Sequence, residues 1–299
     1  LTGADAVIAD YAPTALVAAR SLGLPSASIG IGFYVPPDVA PLPPFRIWEP
    51  IAAGRVEHFD RQALDAVNTV VQRFGGQPLD RLAPVFRGDR ALLCTWPELD
   101  HYGRGDLPDG EHYLGPSLSA ARGEDAVWPE GDGPLVFAYI RQGHPDHKAV
   151  LEALVHQGCR TLVYMPEVST GSPPPVVSPR LRYSTGPVHL GQVMQQARLV
   201  VCHAGAGVMT ESLLAGVPVL MLPAQAEQFL IAYRVHQTGA GINAAQSRRP
   251  PDFNGMLRTL LAPSGPLDGA RALAQRHAGF SHTAQMAVLT AECEALLSR

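Results

Sequence analysis

Cysteine is scarce in this sequence, and its basic residues are dispersed. The four cysteines lie far apart and form no C-x-x-C pair: Cys94, Cys159, Cys202 and Cys293. This distribution argues against a disulfide framework or a zinc site and favours free thiols in a reducing, cytoplasmic compartment. The formal net charge is −4, and Lys and Arg form no cluster. Because a basic surface is what binds a nucleic-acid backbone, we expect no nucleic-acid partner.

Long apolar runs and metal-ligand patterns are missing as well. No segment has the ~18–20 uninterrupted apolar residues that span a bilayer, so we expect no integral membrane segment. The eleven histidines show no spacing typical of a metal site. The sequence opens LTGADAVIADYAP, without an initiator Met or a charged n-region. This opening predicts a start inside a larger gene product.

The composition is that of a globular protein with room for two domains. The chain has 299 residues, of which 46% are hydrophobic and 17% are charged. DAVIAD predicts a strand, a helix can begin at Pro13, Gly23 suits a helix C-terminus, and LPSASIGIG resumes an extended pattern. Residues 34–50 contain too much proline for a helix and are predicted as a loop. This loop is either functional or a surface loop that binds no ligand. A helix over residues 56–74 and a strand at RALLC follow.

The second half of the sequence begins after a change in amino-acid composition. Residues 116–133 are rich in Gly, Pro, Ser and acidic residues and are predicted as a linker. Beyond them, strands and helices alternate in the order of a doubly wound parallel sheet, and runs such as LVFAYI and LVVC suit strands covered on both faces. The predicted domains are therefore residues 1–115 and 134–280, with a helix over residues 281–299.

The stretch VVCHAGAGVMTESLL carries the clearest chemical signal. His203 is predicted at the carboxyl end of an inner strand, followed by a small-residue turn and a helix. Gly205 and Gly207 permit a positive φ and close approach of a ligand, while the N–H groups of Ala206 and Val208 and the helix dipole favour a pyrophosphate. His203 can donate a hydrogen bond to a phosphate oxygen, or it is a strand-end histidine with partners inside the protein.

Polar residues follow this turn at two further positions. Glu211, one turn into the helix, can accept hydrogen bonds from ribose hydroxyls, or it is a solvated acid that complements the helix dipole. Glu227 and Gln228 close the next strand and offer a clamp for a polyhydroxylated group. A dinucleotide fingerprint is disfavoured because the third glycine is absent and the motif comes late in its domain. A Cys202–His203 nucleophile pair is excluded because adjacent strand residues point to opposite faces.

These residues resemble the signature of the nucleotide-sugar glycosyltransferases of the GT-B fold. That pattern is His-Gly-Gly-x-Gly-Thr/Ser-x-x-Glu, then Gly-Val-Pro, then Pro-x-x-x-Asp/Glu-Gln, and it corresponds here to residues 203–211, 216–218 and 223–228. The resemblance implies two Rossmann-like domains with parallel sheets facing a cleft, the first domain incomplete. It also implies that His203 contacts the diphosphate, Glu211 the ribose, and Glu227 and Gln228 the donor sugar.

The resemblance extends to the first domain, where VIADYAPTALVAARSLGLPS is similar to a strand and helix of the family. It implies that Asp10 orients a catalytic histidine, which would lie before Leu1; the alternative is that Asp10 caps the following helix. Phe33 and Tyr34 are candidates for an apolar acceptor pocket. The implied reaction is an inverting, metal-independent transfer of a hexose from a UDP- or TDP-sugar to an acceptor hydroxyl, with no cofactor beyond this co-substrate.

Three departures from the family pattern stand out. Ala204 replaces the first glycine, and Val208 replaces a Thr or Ser whose hydroxyl reaches a phosphate. The loop after the second domain's first strand, usually Gly-Ser, contains Arg141, which either makes a charge-assisted contact to the diphosphate or marks an altered donor or a weak enzyme. Val208 and the loop with Arg141 favour one alternative, a non-catalytic nucleotide-sugar-binding or activator homologue. A second alternative is a sugar-nucleotide 2-epimerase, which shares the GT-B architecture.

Overall fold

The structure is a computed structural model that divides into two compact units. It describes residues 3–46, 49–52, 54–104, 107, 111–117, 123–247, 250–262 and 266–298. Unit 1 consists of residues 1–116 together with 281–299, and unit 2 of residues 117–280. Among the helices within these ranges, none combines the length and the apolar character needed to cross a bilayer.

Unit 1 contains a parallel three-stranded sheet in the order β1-β2-β3. Along the chain its elements are β1 (Val7–Asp10), α1 (Pro13–Ser21), β2 (Ser26–Gly30), α2 (Arg55–Arg73), α3 (Pro84–Arg87) and β3 (Arg90–Leu93). Gly23 has φ +66°, as a residue that ends a helix in the left-handed conformation requires. The βαβ unit predicted from the sequence is thus present.

Unit 2 contains a parallel six-stranded sheet in the order β6-β5-β4-β7-β8-β9. Its strands are β4 (Leu135–Tyr139), β5 (Arg160–Tyr164), β6 (Leu181–Tyr183), β7 (Leu199–Cys202), β8 (Val219–Met221) and β9 (Gly241–Asn243). Its α-helices are α4 (His147–His156), α5 (Pro166–Ser169), α6 (Leu190–Gln196), α7 (Ala206–Leu214), α8 (Ala226–Gln237), α9 (Phe253–Leu261) and α10 (Pro266–Arg276). The two parallel sheets confirm the predicted α/β class.

The core of unit 2 explains why its strands are continuous apolar runs. Val136, Ala138 and Ile140 pack on one face of the sheet against apolar residues of α4 and α9. All four residues of β7 are buried. A strand covered on both faces has no side that water reaches, so the alternation of polar residues disappears.

The last helix, α11 (His282–Leu297), belongs to unit 1 although it follows unit 2 in the chain. Its Leu289 and Leu296 pack with Ala27 and Leu92 of the three-stranded sheet. The side-chain amide of the buried Gln285 donates to the carbonyl oxygen of Leu114 at 3.1 Å. The carboxyl-terminal helix therefore covers the first sheet.

The strand order of unit 2 indicates where a ligand site is expected. Counting along the chain, strands are added outward from β4 through β5 to β6, and then on the other side from β7 to β9. The order reverses between β4 and β7, which pair directly through Val136↔Leu199 and Ala138↔Val201. Open α/β sheets bind ligands outside the carboxyl ends of the strands at such a reversal. The motif that begins at His203 follows β7 and lies at this point.

Candidate functional site

A cavity of about 900 Å³ opens at the carboxyl ends of β4 and β7, within unit 2. This volume is in the range of small-molecule sites. The residues that line it come from four chain segments: Tyr139, Arg141, Gly143, His144, Pro145; Glu167; Cys202, His203, Gly205, Ala206, Gly207, Val208; and Pro223, Ala224, Gln225 and Gln228. Most of the predicted donor-site residues are therefore brought together, across segments up to 87 positions apart.

The start of α7 forms one wall of the cavity. Gly205 is the N-cap, and Ala206, Gly207 and Val208 form the first turn, which contains no acidic residue. The backbone N–H groups of a first helical turn lack partners within the helix and carry partial positive charge. This wall suits an anion.

Glycine serves a different purpose here from the one expected. The sequence suggested a positive φ at Gly205 and Gly207, but Gly205 has φ −66° and Gly207 lies inside α7. The left-handed residue is Ala204, with φ +62°, and its side chain is fully buried. An added Cβ at Gly205 would meet no atom within 4 Å. The glycine at position 205 thus leaves open space at the cavity wall and is not needed for the backbone turn.

His203 connects three strand ends. It is only 7% exposed. Its Nε2 accepts from the backbone N–H of Arg141 at 2.9 Å, and its Nδ1 lies 2.7 Å from the carbonyl oxygen of Leu222. Because Nε2 must be an acceptor, the proton sits on Nδ1 and is donated to Leu222. Both ring nitrogens are used inside the protein, so the donation to a phosphate predicted from the sequence has no available N–H in this arrangement.

The environment of His203 favours the neutral ring. Burial is the main cause that lowers the pKa of His203 below its usual range, opposed by its hydrogen bond to Leu222, while the charge of Arg141 lowers it further. A neutral imidazole with one donor and one acceptor matches its two partners. A second histidine, His144, lies beside it with 5.4 Å between ring centroids, and its Nδ1 accepts from the N–H of Asp146 at 3.2 Å.

The loop after β4 brings the charged side chains to the cavity. The exposed guanidinium of Arg141 forms no ion pair within the described ranges. The next backbone N–H, of Gln142, donates to Oε2 of Glu167 at 3.3 Å. Glu167 was not found from the sequence; the available signal was a carboxylate three residues after the end of β5, next to the reversal of strand order.

The three other polar residues of the motif occupy different positions. Gln228 lines the cavity, and its Oε1 accepts from the N–H groups of Ala224 at 3.0 Å and Gln225 at 3.3 Å, which leaves its amide hydrogens for a ligand. Glu211 lies in the second turn of α7 and not in the first turn, where an acid complements the helix dipole. Glu211 and Glu227 are not among the cavity-lining residues.

The predicted acceptor residues lie in unit 1, after the carboxyl end of β2. Phe33 and Tyr34 belong to an aromatic cluster with Tyr11 and Phe45, with 4.7 Å between the ring centroids of Tyr11 and Tyr34 and 4.9 Å between those of Phe33 and Phe45. Tyr11 has a positive φ of +46°. Tyr11 and Phe45 were not predicted from the sequence.

Asp10 is the exposed last residue of β1. The N-cap of α1 is Ala12, and no side chain caps this helix. The alternative interpretation of Asp10 as a helix cap is therefore wrong. No hydrogen bond joins its carboxylate to another part of the described chain.

Comparison with known proteins agrees with the observed architecture. The crystal structure of the glycosyltransferase VinC in complex with DTDP superposes with a TM-score of 0.65, covering 99% of this chain and 72% of that chain at 17% identity. The spinosyn rhamnosyltransferase SpnG gives 0.63, covering 96% and 72% at 20% identity. The chain has the GT-B glycosyltransferase fold. This fold confirms the resemblance and the fold class predicted from the motif.

Sequence comparison agrees with the GT-B assignment. Residues 172–277, which contain the cavity segments from His203 onward, match the C-terminal domain of erythromycin biosynthesis protein CIII-like proteins. The PGL/p-HBAD biosynthesis rhamnosyltransferase of Mycobacterium tuberculosis (strain ATCC 25177 / H37Ra) is 26% identical over 253 residues, which cover 80% of this chain and 56% of the relative. The chain thus spans about half the length of the curated relatives it matches.

Proposed function

We propose that this GT-B chain acts in the transfer of a deoxyhexose from a TDP-sugar to a hydroxyl of a small apolar acceptor. The observation that carries the proposal is the cavity at the reversal of strand order, where the first turn of α7 and Arg141 face one space. The names of its relatives support the finer choice of donor, since the Mycobacterium tuberculosis relative and SpnG are rhamnosyltransferases, and solved structures of VinC and SpnG contain DTDP or thymidine diphosphate. The sequence left the base open between uridine and thymidine.

The donor's diphosphate is proposed to bind between α7 and the loop after β4. The N–H groups of Ala206, Gly207 and Val208 provide partial positive charge without a hydroxyl, since Val208 has none. Arg141 supplies a full charge, and charge-assisted hydrogen bonds are roughly twice as strong as neutral ones. Gln228 offers its amide to the sugar, while Glu211 and Glu227 remain the proposed partners of ribose and sugar hydroxyls.

The acceptor is proposed to bind on the aromatic cluster of unit 1. Tyr11 is 47% and Phe45 52% exposed, so the cluster presents apolar surface to solvent. Aromatic side chains bury large areas and suit a flat or apolar aglycone. Unchanged acceptor preference after Phe33→Ala and Tyr34→Ala would contradict this part of the proposal.

The proposed chemistry is a direct displacement without a metal ion. The acceptor oxygen forms a bond to the anomeric carbon as the bond from that carbon to the diphosphate oxygen breaks, which inverts the configuration. The hydroxyl proton passes to a histidine base that Asp10 is proposed to orient, and the leaving TDP carries away the electron pair. Arg141 and the α7 N–H groups stabilise the charge that develops on the diphosphate.

The proposal is tested first by calorimetric titration of the chain with TDP, UDP and NAD. We expect TDP to bind and NAD not to bind, and we expect Arg141→Gln to weaken TDP binding about tenfold. Arg182→Gln is the matched control because Arg182 is an exposed β6 arginine outside the cavity. Binding of neither nucleoside diphosphate would contradict the donor site and favour the non-catalytic alternative.

A second experiment separates transfer from epimerisation. The chain is incubated with TDP-rhamnose in the presence and absence of apolar phenols and macrolactones, and the products are analysed by mass spectrometry. A product heavier than the acceptor by one deoxyhexose is expected. Conversion of the nucleotide sugar to an isomer without any acceptor would favour the 2-epimerase.

A further inference from the structure

Two consecutive backbone N–H groups of the loop after β4 are bound by side chains that follow the two neighbouring strands. The N–H of Arg141 donates to Nε2 of His203, which follows β7, and the N–H of Gln142 donates to Oε2 of Glu167, which follows β5. In the sheet, β5 and β7 flank β4 on either side. The loop is therefore tied to both neighbours; we call these two hydrogen bonds the loop clamp.

The loop clamp occupies two backbone N–H donors at the cavity and leaves the side chain of Arg141 as the donor there. The N–H groups of Arg141 and Gln142 are occupied, so neither is free to bind an anion. The guanidinium of Arg141, in contrast, lines the cavity and forms no ion pair with the described carboxylates. Holding the backbone at residues 141 and 142 limits where this side chain can reach, which lowers the entropy lost when it binds a ligand.

We propose that His203 and Glu167 are positioning residues that hold Arg141 as the anion ligand of the cavity, and that His203 itself does not bind the diphosphate. The inference rests on the proposed function for the identity of the anion. It assigns to Glu167 a role that the motif does not contain, and it changes the role of the motif histidine from direct contact to support. The buried hydrogen bond of Nδ1 to Leu222 fixes the ring for this purpose.

The first test examines the histidine without any ligand. Two-bond ¹⁵N–¹H correlation spectra of the imidazoles in the ¹⁵N-labelled chain distinguish the Nδ1–H from the Nε2–H tautomer, and His203→Gln assigns the signal. We expect the Nδ1–H tautomer, unchanged on addition of TDP. An Nε2–H tautomer, or a shift to one when TDP binds, would overturn the proposal because Nε2 would then be the donor to phosphate.

The second test is a double-mutant cycle on TDP affinity. If His203 acts through Arg141, His203→Gln weakens TDP binding of the wild-type chain by about tenfold, but by less than about twofold in the Arg141→Gln background. Independent effects that multiply in the double variant would mean that His203 contacts the nucleotide directly and would overturn the proposal. Arg182→Gln in combination with His203→Gln serves as the additive control.

Glu167 is tested with two substitutions that differ in one property. Glu167→Gln keeps an oxygen acceptor for the N–H of Gln142 and removes the negative charge, so TDP binding should stay equal or become tighter. Glu167→Ala removes the acceptor and should weaken TDP binding several-fold. Equal weakening by both variants would show that the carboxylate charge itself contacts the ligand and would contradict a positioning role.

These outcomes separate the inference from the proposed function. Absence of TDP binding to the wild-type chain would contradict the proposed function and the anion role of Arg141 together. The tautomer of His203 in the ligand-free chain is decided in either case. With TDP binding established, the mutant cycle alone decides whether His203 acts through Arg141.

Discussion

The two units of the chain are stabilised in different ways. Unit 2 has a large apolar cluster that involves both the sheet and its covering helices, and most of its charged groups lie at the surface or at the cavity. Unit 1 has smaller clusters, one under α11 and one between α2 and α3, and exposes more large apolar side chains, including Phe59, Val70 and Phe74 of the α2 region.

Buried ion pairs contribute to the stability of unit 1, which has smaller apolar clusters than unit 2. Arg104 and Asp100 are paired at 2.8 Å with side chains 6% and 0% exposed, and Tyr113 donates to the same carboxylate at 2.9 Å. The buried Arg87 pairs with Glu111. Such pairs depend on both partners, because one charge left alone in the interior is costly. We therefore expect unit 1 to be sensitive to charge and unit 2 to volume.

The largest effect is expected from removing a charge in unit 1. Asp100→Ala leaves Arg104 buried without its partner and should lower the free energy of unfolding by about 3–5 kcal/mol. Urea unfolding followed by circular dichroism measures this loss, and hydrogen exchange should place it in unit 1. The matched control is Asp80→Ala, whose carboxylate pairs with Arg81 but is 78% exposed, so that its loss should cost about 1 kcal/mol or less.

A volume change in unit 2 should cost somewhat less. Leu220 of β8 is fully buried in the large cluster, and Leu220→Ala should lower the free energy of unfolding by about 2–5 kcal/mol through lost contacts and a cavity. Hydrogen exchange should locate the effect in unit 2. Val177→Ala is the control, since Val177 is 87% exposed and its truncation should change stability by less than about 0.5 kcal/mol. Equal effects of both substitutions would mean that the cluster is not what stabilises this unit.

Low pH should decrease the stability of unit 2 through the protonation of His203. An unfolded histidine titrates near ~6.5, and burial keeps the pKa of His203 below that value in the folded state. At a pH between the unfolded and the folded pKa of His203, the unfolded state binds a proton that the folded state does not. The free energy of unfolding therefore decreases as the pH falls below about 6.5, by at most ~1.4 kcal/mol per pH unit for this group. Urea unfolding of the wild type and His203→Gln from pH 7.5 to 5 should show a shallower slope in the variant. Identical slopes would be evidence against a neutral, buried His203.

The smallest effect on stability should accompany a large effect on binding. Gly205→Ala places a methyl group in open space at the cavity wall and exchanges one N-cap for a poorer one, which should cost less than about 1 kcal/mol. TDP affinity in calorimetry should nevertheless fall about tenfold if the ligand approaches this backbone closely. Gly279→Ala is the control, because its added Cβ also meets nothing within 4 Å but lies outside the cavity. Unchanged affinity in Gly205→Ala would place the ligand farther from α7.

The longer helices and the apolar strands could be predicted from the sequence, and the four-residue helices could not. The predicted helix over residues 56–74 corresponds to α2, and the strands around LVFAYI and LVVC correspond to β4 and β7. Two four-residue helices, α3 and α5, were missed because they span little more than one turn and show no periodicity. Because α5 was not predicted, Glu167, which lies in it, was not recognised as a residue of the site.

The motif predicted which segments meet but not how each side chain is used. His203, Arg141 and Gln228 line one cavity as expected from neighbouring strand ends. The hydrogen bonds of His203 depend on the backbone N–H of Arg141, 62 residues earlier, and on the carbonyl of Leu222. No local pattern predicts these partners, because they are defined by the pairing of β4, β7 and β8.

The sequence by itself determined the α/β class, the position of the candidate site and the family resemblance. These depend on local properties: apolar runs, small residues after a strand, and the start of a helix. Only the tertiary structure decided that α11 covers the first sheet, that Ala204 takes the left-handed conformation, and that Glu167 faces the same loop as His203. These features arise from contacts between residues distant in the chain, whose geometry is set when the sheets and helices pack.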